Sequence, residues 1–110
     1  MSFENQVEEI RKAFNLEEVK VTTEAGCRFL HLPSFFKVNE NERLDCLFAC
    51  DNHLGYPNRL WFSRIITTSE PRNWNGKNVY ISGRNWFAFS MRGKGSSLLE
   101  LLISHLMGAK

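Results

Sequence analysis

The chain has 110 residues, of which 43% are apolar, 13% aromatic and 24% charged, and its formal net charge is +2. This length and composition fit one globular domain with one core and exclude a disordered chain. No stretch comes near the roughly 20 apolar residues that a membrane-spanning helix needs. The opening residues carry Glu4, Glu8 and Glu9, unlike a signal peptide, and the three cysteines lack paired spacing, so a reducing cytoplasm is expected rather than a disulfide framework.

The charge is unevenly spread. Residues 1–24 hold six acids against three bases, whereas residues 59–94 hold seven bases against the single acid Glu70. A basic face formed by the second half is therefore expected.

Phe3, Val7, Ile10 and Phe14 recur at helical spacing and predict a helix from Phe3 to about Leu16, capped by Ser2, with Glu8 and Lys12 spaced as an i,i+4 pair. Val19 to Thr23 reads as a strand, Glu24-Ala25-Gly26 as a turn, and Cys27 to Leu32 as the returning strand, stopped by Pro33. Residues 37–43 read as a loop. Leu44 to Cys50 alternates, with Leu44, Cys46, Phe48 and Cys50 on one face. Leu60 to Thr67 reads as a further strand. Residues 69–78 read as a loop with an Asn75-Gly76 turn, and Val79–Ser82 and Trp86–Met91 as short strands around Gly83-Arg84-Asn85. Ser97-Leu98-Leu99-Glu100 is a capping box that opens a strongly apolar helix ending at Gly108. The expected architecture is α+β: an N-terminal helix, an antiparallel β-meander of about four strands and a C-terminal helix packed on the sheet, in one domain spanning residues 1–110.

Few residues announce chemistry. Cys46 and Cys50 share a face with Leu44 and Phe48 and read as buried thiols, while Cys27, beside a turn, is the cysteine expected to be exposed. His31 reads as a core-edge residue and His105 as a rim residue. The spacing of His31, His53 and His105 matches no metal-binding motif, so neither a metal nor a cofactor is expected. Gly93-Lys94-Gly95 reads as a hinge, since the phosphate-loop signature fails. Trp61, Phe62, Trp74, Tyr80, Trp86, Phe87 and Phe89 alternate with the seven bases, a pattern shared with single-stranded nucleic-acid binders. Strand aromatics more commonly fill a core, which leaves Trp74, in a polar loop, as the ring expected to be exposed.

The order of Leu32-Pro33, Leu44-Asp45-Cys46-Leu47, Gly55-Tyr56-Pro57 and Trp86-x-x-x-Ser90 resembles a prokaryotic branch of the ubiquitin-conjugating-enzyme superfamily (UBC-like), over roughly residues 27–107. The resemblance implies the UBC-like helix–meander–helix fold, with Tyr56-Pro57 shaping a strand-to-strand turn. Active members carry a thioester-forming cysteine after the fourth strand and a His-Pro-Asn triplet. This chain has neither, and no cysteine follows Cys50. What the resemblance implies is thus a non-catalytic protein-interaction module of a bacterial ubiquitin-like modification system, whose partner is a ubiquitin-like protein or an activating enzyme. Tyr56, Trp74, Arg84, Trp86 and Arg92 are the expected contact residues, because Trp, Tyr and Arg dominate binding hot spots. The alternatives are a conjugating enzyme using a relocated thiol, Cys27, and a single-stranded nucleic-acid binder using the basic-aromatic face.

Overall fold

The computed structural model describes residues 1–110. Helix α1 (Phe3–Ala13) begins where Ser2 Oγ accepts the backbone N–H of Asn5 at 3.1 Å, and it buries Ile10. Its wet face carries an Arg11–Glu8 ion pair one turn apart, in place of the expected Glu8–Lys12 pair. Helix α2 (Leu98–Gly108) is capped by Ser97 Oγ on Glu100 N, and Glu100 reaches back to Ser96 N at 2.8 Å. Six strands lie between the helices: β1 (Lys20–Glu24), β2 (Cys27–Asn39), β3 (Glu42–Ala49), β4 (Arg59–Phe62), β5 (Gly76–Ile81) and β6 (Arg84–Ala88). No helix is long and apolar enough to cross a membrane.

The four-strand meander and the UBC-like layout expected from the sequence are not the fold. The strands form one antiparallel sheet in the order β1-β2-β3-β4-β6-β5, curled into a half-barrel. The meander breaks after β4, because its neighbour is β6, through Phe62↔Phe87, and β5 becomes an edge. Pro33 does not stop β2. The ladder is interrupted between Leu32 and Phe36, Ser34 takes a φ of 49°, and Ser34 N donates to Asp45 Oδ1 at 2.7 Å. Pro33 thus sits in a bulge where no ladder donor is required. Beyond it β2 runs on to Asn39, so most of the expected 37–43 loop is strand, with Glu40-Asn41 as the turn. The expected Leu60–Thr67 strand ends at Phe62.

Asn75-Gly76 is not a turn either. Gly76 opens β5 against the Trp61 ring, where an added Cβ would stand 2.8 Å from Cζ3. The hairpin turn is Ser82-Gly83, with φ of 50° and 88°, the paired positive values of a two-residue turn.

Strand alternation gives the sheet two apolar faces. On the helix-covered face, Leu30, Leu32, Leu44, Cys46, Phe48, Leu60, Phe62 and Phe89 pack with Ile10, Leu98 and Leu102. On the other, Cys27, Phe29, Leu47, Ala49, Trp61, Ile81, Trp86 and Ala88 form a second core with no helix over it. The curl covers this second core: the β5–β6 turn swings over it, and Ser82 N donates to Glu24 Oε2, on β1, at 2.8 Å. Two buried Trp rings make that closure worthwhile, since each large ring removes about 150–250 Å² from water.

Candidate functional site

Three places stand out, two for their open shape and one for a buried charge. The first is a cleft of about 300 Å³ where the β5–β6 turn meets β1 and β2, lined in part by Lys20, His31, Asp45, Ser82, Arg84 and Trp86. His31 Nε2 lies 2.9 Å from Thr22 Oγ1 and 3.4 Å from Ser82 Oγ. Burial, aided by Lys20, lowers the His31 pKa and favours the neutral ring. Arg84 donates to Asp45 at 2.8 Å, and its guanidinium lies 4.6 Å from the Trp86 ring centre. The Ser34 N–H, then Arg84, hold the Asp45 carboxyl below its ordinary range.

The second lies at the opposite end of the helix-free face. Arg59 is only 3% exposed and forms no ion pair with any carboxylate. Its guanidinium stands 3.9 Å from the Tyr56 ring centre and 5.0 Å from that of Trp61, and it donates to Asn75 Oδ1 and to Ala88 O. Tyr56 Oη donates to Ser90 Oγ at 2.9 Å and accepts from Asn75 at 2.7 Å, which places the phenol below its usual pKa.

The third is a groove of about 350 Å³ between the end of α1, the distal half of β2 and the outer face of α2. Phe14, Phe35, Phe36, Ile103, Leu106 and Met107 line it, with Lys37 and Lys110 at its rim and no acid in its lining. Ile103 and Met107 are 41% and 67% exposed. The sequence carried a signal for this groove that the residue-by-residue reading missed. Leu98, Leu99, Leu101, Leu102, Ile103, Leu106 and Met107 cover roughly two-thirds of the circumference of α2, with Glu100 and Ser104 on the remaining side. An apolar arc that wide needs partners on more than one side, and in a small domain one sheet and one short helix cover only part of it.

The five expected contact residues do not gather into one patch. Arg84 and Arg92 are exposed and Tyr56 is half-buried. Trp86 is 2% exposed and belongs to the helix-free core. Trp74, expected to be the exposed ring, packs across the sheet from Trp86, with its ring centre 5.9 Å from Phe62 and 5.1 Å from Phe89. Trp61, Phe62 and Phe89 are buried too, leaving Tyr80, 68% exposed, as the freest of the interleaved rings. Of the seven bases, Arg59 is buried, Arg64 and Arg84 pair with Glu42 and Asp45, and Arg72 donates to Gly108 O.

Cys27 is fully buried, contrary to expectation, because the tight Ala25-Gly26 turn starts β2 with its side chain facing the second core. Burial raises all three thiol pKa values, that of Cys50 up to about 12. A nucleophilic thiol needs access and a lowered pKa, and none of the three has both. His105 is likewise no rim residue: it is 2% exposed and 2.6 Å from Asn58 Oδ1. Gly93 is less a hinge than a close approach, since a Cβ there would stand 2.8 Å from Asn58 Oδ1 and 2.9 Å from His105 Nε2.

The chain matches no protein-family model, and neither a curated protein nor a solved structure shows significant similarity to it.

Proposed function

We propose that the chain is a non-catalytic protein-interaction module whose docking face is the groove between α2 and the distal half of β2. The observation that carries this reading is the exposure of Ile103 and Met107 beside Phe14, Phe35 and Phe36, on a helix whose opposite side is already committed to the core. An exposed apolar groove with a polar rim marks a binding surface. Its rim also selects the occupant. With Lys37 and Lys110 at the edge and no acid in the lining, the complementary ligand is an amphipathic segment whose apolar residues enter the groove and whose flanks are acidic. Met107 suits this role, because its unbranched, polarisable side chain adapts to a partner. Lys37 has an exposed Glu40 as its present neighbour at 3.2 Å, a surface pair weak enough to be exchanged.

The partner class comes from the resemblance noted in the sequence, now carried by its short motifs without the fold: a ubiquitin-like protein or its activating enzyme. The test is a titration of methyl-labelled protein with each of these, followed by NMR. Saturable shifts confined to the Ile103, Leu106 and Met107 methyls support the reading. Met107→Asp should then weaken binding by about tenfold or more, the loss expected on placing a charge in a hot spot. Absence of binding by both probes removes the partner class. Shifts centred on the Arg84–Trp86 cleft remove the groove.

A further inference from the structure

Three buried side-chain polar atoms have no hydrogen-bond partner in the protein: His53 Nδ1, Arg59 Nε and Trp61 Nε1. They belong to one cluster. The Trp61 ring centre lies 6.0 Å from that of His53 and 5.0 Å from the Arg59 guanidinium. Arg59 and Trp61 point to the same side of β4, two residues apart, and His53 closes over them from the loop that follows β3. Buried polar groups are paired in the great majority of cases, so three orphans in one cluster imply a missing partner.

The chemistry of the three atoms defines that partner. Trp61 Nε1–H and Arg59 Nε–H can only donate, and His53 Nδ1 can donate in one tautomer. The missing group is therefore an acceptor. Charge sharpens the choice. Arg59 carries a full positive charge, is 3% exposed, and has aromatic faces, an amide oxygen and a carbonyl around it, with no carboxylate among them. A buried charge is normally paired. None of the four surface cavities is lined by His53, Arg59 or Trp61, so a partner that reaches these atoms is small.

We infer that the His53–Arg59–Trp61 cluster is an internal site for one halide-sized anion. The anion accepts from Arg59 Nε–H and Trp61 Nε1–H, with His53 Nδ1–H as the third donor. It ties the His53–Tyr56 loop to β4, because His53 and Tyr56 form a backbone bridge and Tyr56 stacks on the same guanidinium.

The test is thermal unfolding at fixed ionic strength, replacing sodium gluconate stepwise with sodium chloride or bromide. The expected result is a saturable rise in Tm of several degrees in the wild type. Trp61→Phe, which keeps a six-membered ring but deletes the pyrrole half with its N–H, should lose most of that rise whatever its effect on the halide-free Tm, and so should Arg59→Met. Equal rises in wild type and Trp61→Phe, or no halide-specific rise, overturn the proposal and leave a buried water as the missing partner. Should Arg59→Met fail to fold, crystals of the wild type soaked in bromide decide. An anomalous peak between Arg59 Nε and Trp61 Nε1 upholds the site, and water density without one overturns it.

Discussion

The most informative perturbation is acidification, read through His105. This ring is buried to 2% exposure, bonded to Asn58 Oδ1 at 2.6 Å and packed edge-on to Phe48 at 6.0 Å. Burial, with a smaller push from Arg59, lowers its pKa from 6.5 to about 4. Asn58 Oδ1 can only accept, so the neutral ring carries its proton on Nε2. Below pH 6.5 the unfolded chain takes up a proton that the folded ring refuses until about pH 4. Stability therefore falls as pH drops through this window. By linkage the His105 contribution lost between pH 7 and pH 5 is about 2 kcal/mol, approaching about 3 kcal/mol below pH 4. The assay is urea unfolding at pH 7 and pH 5 for wild type and His105→Gln, whose amide can still donate to Asn58. Burial also lowers the pKa values of His31 and His53, but both remain in the variant and cancel in the comparison. The wild type should lose about 2 kcal/mol more than the variant over this range. Parallel pH dependence in the two proteins would refute the argument, because it would mean that His105 is free to charge in the fold.

Two further outcomes follow from the packing. Gly93→Ala puts a methyl group 2.8 Å from Asn58 Oδ1 and 2.9 Å from His105 Nε2, so it should separate that pair and cost about 1–3 kcal/mol in urea unfolding. Unchanged stability would show that the loop moves aside instead. Timed alkylation at pH 7 should label Cys27 and Cys46 only at the rate of unfolding and half-buried Cys50 slowly, since burial opposes the thiolate at all three; rapid labelling of Cys27 or Cys46 in the folded protein contradicts its placement.

Local signals in the sequence were reliable where neighbouring residues alone decide the outcome. The apolar spacing of α1, the Ser2 and Ser97 caps, the Ala25-Gly26 turn and the burial of Cys46 beside Leu44 and Phe48 all depend on backbone sterics and strand or helix period. The fold failed at positions where a distant group changes a local rule. Pro33 stays within β2 because Asp45, eleven residues beyond Ser34, accepts the Ser34 N–H and stabilises the bulge. Gly76 is strand rather than turn because the Trp61 ring needs the space that a Cβ would fill. The β4–β6 pairing, which ended the expected meander, is a choice between edges that no run of residues encodes.

The candidate sites divide in the same way. An over-apolar α2 was written in the sequence, and with it the prospect of an uncovered face. Which side of α2 stays bare was decided by the docking of α1 and the sheet on the other. Composition also showed an excess of bases between residues 59 and 94, but only the curl of the sheet buried Arg59 among rings while leaving Arg92 in water. The chain thus determines by itself where helices are capped and which faces of its elements are apolar, because those follow from nearest neighbours. Which charge loses its water, and which apolar face keeps it, depends on surfaces brought together from far apart in the chain, and that is set by tertiary packing.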